Sequence, residues 1–344
     1  MRELIFALAV QVTRFARDFW LHVSFAEVAL VRHNQSKLIF ALAVQVTRFA
    51  RDFWLHLGKT SKLFCTRFAQ KFLIILVSLH NNFNLLTKMS KKYQLDGTVI
   101  KNEWVTKSYF KMTLALDTMP EIKAGQFAEL RIDQTPTVFL RRPISLHDVR
   151  EDKKELDLLI QKVGDGTAWL AERKEGDKVN VIFPLGNGFN TEISEDKPVL
   201  LVGGGVGIAP LLHLGRVLSL KGVKVHFLLG FRKEADILPL DAYKEVGEVF
   251  ITTEDGSVGD KGFVTNHSLW NDADYARIFS CGPTPMMKAL AKVAREKNID
   301  CEVSLENKMA CGVGACLCCV TQTHEGHKCV CTDGPVFNIN ELPW

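Results

Sequence analysis

The spacing of apolar and polar residues divides most of the chain into stretches with different periods. From residue 93 to about 190, short runs alternate with a period of two and are separated by Gly and Pro, the pattern of antiparallel strands. Strands are predicted at 97–100, 110–116, 127–131, 142–146, 155–162 and 178–183, with a helix at 168–173. Their number and spacing suit a small antiparallel barrel. From residue 198 the pattern changes. Residues 198–202 are apolar without a break, as a strand buried on both faces requires, and 211–220 read as a helix. Strands at 224–229, 248–252 and 276–280 then alternate with helical segments such as 285–297, which predicts a doubly wound parallel sheet. The fold class is therefore α/β plus β-barrel. The predicted domains are a barrel at 89–190, a nucleotide-binding domain at 191–300 and a small cysteine-loop domain at 301–344, with Cys301 itself on a strand.

Residues 1–88 stand apart. Residues 4–22 and 38–56 are identical over all nineteen positions. Solenoid repeats need three or more copies; two perfect copies look like a recent duplication or repetitive DNA read as protein. The segment holds 11 of the chain's 22 Phe. One reading is a basic amphipathic membrane-surface element, with Arg14 and Arg17 set against Phe15 and Trp20. The other is that translation normally begins at Met89, and no chemistry is assigned before it.

Charge sharpens this division. Residues 1–88 carry 12 Lys/Arg against 4 Asp/Glu, which leaves 31 against 35 for the rest of a chain whose totals are 43 and 39. The main body lacks the basic excess that a nucleic-acid surface needs. Arg14, Arg17 and Asp18 interrupt the N-terminal apolar stretch, so a secretory signal is not expected. The apolar run at 72–77 is too short to span a bilayer, and no membrane association is expected for residues 89–344. Of nine cysteines, six lie between Cys311 and Cys331. An odd total, most of it packed into one window, suits metal-bound thiolates in a reducing cytoplasm better than a disulfide framework.

Four places carry candidate chemistry. Arg141-Arg142-Pro143-Ile144-Ser145 offers a guanidinium for a phosphate and a hydroxyl for a ring; a surface Arg pair at a strand start is the plainer reading. Gly164-Asp165-Gly166-Thr167 leads into a helix, where backbone N–H groups can meet a diphosphate; the plainer reading is a turn with Thr167 as N-cap. Gly203-Gly204-Gly205-Val206-Gly207-Ile208-Ala209-Pro210 joins a strand to a helix but departs from G-x-G-x-x-G, which disfavours a standard Rossmann dehydrogenase. Cys281-Gly282-Pro283 follows a strand of the same sheet, so Cys281 lies either near a nicotinamide or in a structural cap of the sheet.

A fifth place is the strongest. Cys311, Cys316 and Cys319 form C-x4-C-x2-C, the plant-type [2Fe–2S] spacing, which requires one more distant cysteine. Gly312 and Gly314 allow positive φ, so that backbone N–H groups can aim at sulfur. Zinc is the alternative, with His324 and His327 as further donors, but Cys329-Val330-Cys331 is one residue too close for a second C-x2-C. Cys318 lies between two ligands and is expected to point away.

Arg142-Pro143-Ile144-Ser145, Gly166-Thr167, Gly205–Pro210, Cys281-Gly282-Pro283 and the cysteine segment occur in the order found in the ferredoxin-reductase superfamily. Within it, residues 89–344 resemble the electron-transfer subunits of class 1B dihydroorotate dehydrogenases. The resemblance implies FAD held by Arg142, Pro143, Ile144, Ser145, Leu159, Ile160, Gln161, Gly166 and Thr167. It implies NAD as acceptor near Gly205, Gly207, Cys281 and Gly282. It implies a [2Fe–2S] cluster on Cys311, Cys316, Cys319 and Cys331, because Cys331-Thr332-Asp333-Gly334-Pro335 resembles the family's fourth-ligand segment; Cys329 is then a bystander. It further implies an FMN-bearing dihydroorotate dehydrogenase catalytic subunit as partner, in a heterotetramer of two of each, and a role in pyrimidine biosynthesis. The nearest alternative is an NAD(P)H oxidoreductase subunit serving ferredoxin or a sulfur acceptor, a branch that tends to carry Asp where Cys311 stands. A non-enzymatic zinc-binding adaptor is the alternative of another class. Phe231-Arg232-Lys233 leaves NAD against NADP open.

Overall fold

The computed structural model describes residues 91–133, 137–194 and 196–344. The expectations for residues 1–88, the duplicated segment included, fall outside them. Seven strands build the first lobe: β1 (Tyr93–Trp104), β2 (Tyr109–Ala115), β3 (Phe127–Leu130), β4 (Arg142–Ser145), β5 (Asp148–Arg150), β6 (Glu155–Gln161) and β7 (Lys178–Leu185). They form one antiparallel sheet in the order β4-β3-β7-β1-β2-β6-β5. A register shift in β1 at Val99/Lys101 bends the sheet, and β4 approaches β6 from the other edge. The sheet curls into a half-barrel, its hydrogen bonding ending at β4 and β5. Phe110, Met112, Leu114, Leu156, Leu158 and Ile160 alternate inward along β2 and β6 to fill it. β6 is buried almost throughout because both of its faces are covered: Leu159 belongs to the apolar cluster of the second lobe.

The second lobe is a seven-stranded sheet ordered β11-β10-β9-β8-β12-β13-β16. Its strands are β8 (Val199–Gly204), β9 (Val225–Phe231), β10 (Glu248–Thr253), β11 (Asp260–Lys261), β12 (Arg277–Cys281), β13 (Cys301–Ser304) and β16 (Val336–Asn338). All neighbours are parallel except β16, which runs antiparallel to β13. The helices are α1 (Asp165–Ala171) in the first lobe, and α2 (Ala209–Leu220), α3 (Asp241–Val246) and α4 (Thr284–Glu296) in the second. Chain order reverses between β8 and β12, so the switch point lies at Gly203–Gly205 and Cys281–Gly282. Pro210 stands in the first turn of α2, where its missing N–H breaks no bond. That explains the departure from the third glycine of G-x-G-x-x-G.

Cys301 sits on β13 inside the nucleotide sheet, fully buried. The C-terminal segment leaves this sheet after β13, makes the hairpin of β14 (Val320–Thr323) and β15 (Gly326–Cys329), and re-enters the sheet as β16. Among the described residues no helix is long and apolar enough to cross a membrane.

Candidate functional site

The cysteine loop at 305–319 has no regular structure, and its conformation is set by left-handed residues: Gly312 (φ +64°), Gly314 (φ +85°) and Leu317 (φ +57°). These turns aim N–H groups at sulfur. Ala315 N–H and Val313 N–H donate to Cys311 Sγ at 3.3 and 3.5 Å, and Cys331 N–H donates to Cys319 Sγ at 3.4 Å. Burial acts to raise the Cys311 pKa, but the N–H groups of Val313, Cys316 and Ala315, together with the Cys316 thiol, outweigh it and hold it at about 6. Cys331 moves the other way: burial, then the neighbouring Cys319 sulfur, pushes it up to about 12.

The thiols approach in pairs, Cys311 with Cys316 and Cys331 with Cys319. The donors are cysteine sulfurs on one segment, with backbone N–H groups already aimed at Cys311 Sγ and Cys319 Sγ, and such a sulfur-only set fits [2Fe–2S]. Cys318 is exposed, as is Cys316. Cys329 pairs with Val320, the residue after Cys319, and so lies at the same end of the hairpin as Cys319.

The loop packs on the first lobe through Glu129 of β3. A Cβ at Gly312 would sit 2.6 Å from Glu129 Cγ. Glu129 is fully buried, and neither carboxylate oxygen has a hydrogen-bond partner. Burial raises its pKa to about 7, against the pull of Arg141. Nothing in the spacing of the sequence marks this residue.

The arginine pair divides its work. Arg141 is structural: its Nη1 donates to the carbonyls of Glu129 (3.2 Å) and Asn180 (3.1 Å), and its Nη2 to Asn180 Oδ1 (2.6 Å). Arg142 lies against α1 instead, so that a Cβ at Gly166 would come 2.5 Å from its Nε. The two phosphate signals of the sequence thus meet in one place, a cradle that a side chain at 166 would fill. Thr167 is not the N-cap. Gly164 holds that position, and the Thr167 hydroxyl accepts the N–H groups of Val163 (2.9 Å) and Gly164 (3.2 Å) while donating to the Gly164 carbonyl (3.0 Å). Pro143, Ile144 and Ser145 are half-buried on β4, and Gln161 is half-buried at the end of β6. Ile160 turns its side chain into the barrel core, so only its backbone can reach a cofactor; Leu159 faces the second lobe.

At the switch point, Gly205 has φ +57°, and the Tyr109 hydroxyl of β2 faces it. Burial raises the Tyr109 pKa, with a further rise from Asp236 and an opposing pull from Arg232. Tyr109 is a second residue that sequence spacing missed. Gly207 has a packing role: a Cβ there would collide with the Cys281 carbonyl and Gly282 Cα. Cys281 is fully buried, its Sγ 3.8 Å from Glu306 Oε1. Burial, then Glu306, drives the thiol well above its ordinary range, and burial raises Glu306 too. A cavity of about 400 Å³ opens between the outer face of β6 and α2, lined in part by Asp148, Arg150, Leu159, Arg216 and Tyr243. Leu159 alone of the sequence-assigned residues borders it, and four of its charged side chains are already paired, Arg150 with Asp157 and Arg216 with Asp148.

The model of the iron–sulfur cluster binding domain of dihydroorotate dehydrogenase B matches residues 306–343, and that of the oxidoreductase NAD-binding domain matches 201–292. The dihydroorotate dehydrogenase B (NAD(+)) electron transfer subunit of Bacillus pumilus is 38% identical over 250 residues, covering 71% of this chain and 96% of that one. That of Shouchella clausii is 40% identical over 259 residues, covering 73% and 99%. The chain belongs to this family of electron transfer subunits. Members of the family are subunits of an NAD-dependent oxidoreductase, and this chain carries both its iron–sulfur-binding and its NAD-binding domain. A solved NADH-dependent reduced ferredoxin-NADP oxidoreductase, described for flavin-based electron bifurcation, is 31% identical with a TM-score of 0.65, over 72% of this chain and 90% of that one. An Amycolatopsis cytochrome P450 reductase (24% identical, TM-score 0.54, 61% and 68% covered) shares the fold.

Proposed function

We propose that this chain is the electron transfer subunit of an NAD-dependent dihydroorotate dehydrogenase and works in pyrimidine biosynthesis. Its partner is an FMN-bearing catalytic subunit that oxidises dihydroorotate, assembled as a cytoplasmic heterotetramer of two of each. The observation that carries this reading is the paired thiol set Cys311/Cys316 and Cys319/Cys331, supplied with N–H donors and packed on the flavin-type lobe through Gly312 and Glu129. FAD, where bound, joins the one-electron chemistry of an iron–sulfur cluster to the two-electron chemistry of NAD.

The chain's own residues hold and shield these groups. Arg142 grips an FAD phosphate, with Gly166 leaving it room. Ser145 on β4, and Leu159 and Gln161 on the outer face of β6, line the ring. Gly205 lets the backbone approach the NAD diphosphate, Tyr109 closes over it, and buried Cys281 shields the reacting end. The catalytic subunit docks over the cysteine loop. Exposed Val313 and Leu317 on that loop, and exposed Phe139 and Leu140 before β4, supply apolar surface for this face.

The test is pull-down of the tagged chain from native lysate, followed by a dihydroorotate-to-NAD assay. If an FMN protein co-purifies and the mixture fails to reduce NAD with dihydroorotate, the assignment is wrong. The likeness to the ferredoxin-NADP oxidoreductase favours one second reading, an NAD(P)H oxidoreductase serving ferredoxin. Rapid ferredoxin reduction by NADPH without any effect of dihydroorotate would select it.

A further inference from the structure

We infer that Cys329 is a reserve ligand for the iron held by Cys319, positioned to replace Cys331. This rests on the [2Fe–2S] reading above. The hairpin supplies the first reason. Val320 opens β14 and pairs with Cys329, the last residue of β15. Cys319 immediately precedes Val320, so Cys319 and Cys329 emerge at the same end of the hairpin.

The turn that follows supplies the second. The Cys329 carbonyl accepts N–H groups from Thr332 (3.1 Å), Asp333 (2.7 Å) and Gly334 (3.4 Å), while Cys329 N–H donates to Asp333 Oδ2 at 2.6 Å. This knot folds the chain back on itself, so that Cys331 N–H reaches Cys319 Sγ. Cys329, through the pairing of Val320 with it, and Cys331, through its N–H, are both left beside Cys319. An iron bonded to Cys319 requires one more protein thiolate, and the fold offers two. Cys331 is 1% exposed and is the resident ligand; Cys329 is half-buried at the rim.

The exchange balances without an oxidant. With a cluster bound, the exchange would break one iron–Cys331 bond and form one iron–Cys329 bond, the Cys329 proton would pass to the released Cys331 sulfur, and no electron would be gained or lost. Ligation by either thiol keeps the all-sulfur set that such clusters use.

The experiment compares the full chain with Cys329→Ala, Cys331→Ala and the double variant, by iron and acid-labile sulfide per FAD and by EPR of the reduced protein. Wild type is expected to hold about two irons and two sulfides per FAD; a wild type without them overturns the cluster reading itself and this inference with it. Cys329→Ala is expected to match wild type. Cys331→Ala is expected to keep at least about half of the iron with altered g-values, and the double variant to fall roughly tenfold or more. Cys331→Ala losing iron as completely as the double, with FAD retained, overturns the inference while leaving the cluster reading intact. So does cluster loss in Cys329→Ala alone. Should Cys331→Ala lose FAD through misfolding, Cys331→Ser keeps the side-chain volume: its EPR must change when Cys329→Ala is added, and an unchanged spectrum overturns the assignment.

Discussion

Arg142 and Gly166 sit on different elements and gain meaning only in contact. A side chain at 166 would displace the guanidinium, so the glycine is a steric condition for the arginine's placement. A charge-assisted bond to phosphate contributes about 1.5–3 kcal/mol, so Arg142→Ala is expected to weaken FAD binding by roughly ten- to hundred-fold, measured by flavin fluorescence on titration. Gly312→Ala combines a left-handed backbone with a collision against buried Glu129. It is expected to cost about 1–3 kcal/mol and to lower iron content, read by thermal unfolding and iron assay. Motif residues such as Cys311, Arg142 and Gly205 were legible in the sequence because their spacing is local. Glu129, Tyr109 and the placing of Cys329 at the Cys319 end of the hairpin were not, since each depends on strand register or on which face a side chain takes. Ile160 shows the same limit: its place in a motif says nothing of its turn into the core.

Elements with a sustained period were readable. β2, β6, β8 and α2 follow runs long enough to show alternation or continuous burial. β5, α3 and β11 are too short to declare themselves, and the return of β16 beside β13 is a tertiary event with no local signature. The link between β4 and β5 also has a consequence for acid stability. His147 Nδ1 lies 2.9 Å from the Ala209 carbonyl at the start of α2, so this nitrogen carries the proton and donates it. The backbone N–H of His213 on α2 donates to the His147 carbonyl at 3.2 Å. Burial lowers both imidazole pKa values. Asp157 and Asp148 oppose the shift at His147; Asp148 opposes it at His213, where Arg216 adds to it. Unfolded chains take up these protons near pH 6.5, whereas the folded chain does so only at lower pH. The stability is therefore complete above about 6.5 and is lost as pH falls below it, by at most about 1.4 kcal/mol per pH unit for each histidine. Melting temperature is expected to be level from pH 8 to 7 and to drop toward pH 5.5. His147→Asn, which keeps a donor for Ala209, should flatten part of that drop.

Over the whole molecule, the described lobes and the cysteine segment belong to one unit, Ser90–Trp344. The charge division at residue 88 and the start of alternation at 93 agree with the expectation that 89–344 suffices for function. The truncated protein is expected to bind FAD, iron and the catalytic subunit as the full chain does; loss of any of these in a pull-down with flavin and iron analysis would refute it. The way the cysteine segment is tied down matters further. β13 precedes it and β16 follows it as neighbouring strands, Asn187 Nδ2 donates to the carbonyls of Thr332 and Asp333, and Gly312 abuts Glu129. Such a segment is a fixed bracket and not a swinging arm. The gap an electron crosses inside this subunit is set once, at folding, with no diffusive search by a tethered carrier. Thickening the solvent with sucrose should therefore slow the encounter with NAD and leave internal transfer at its original rate.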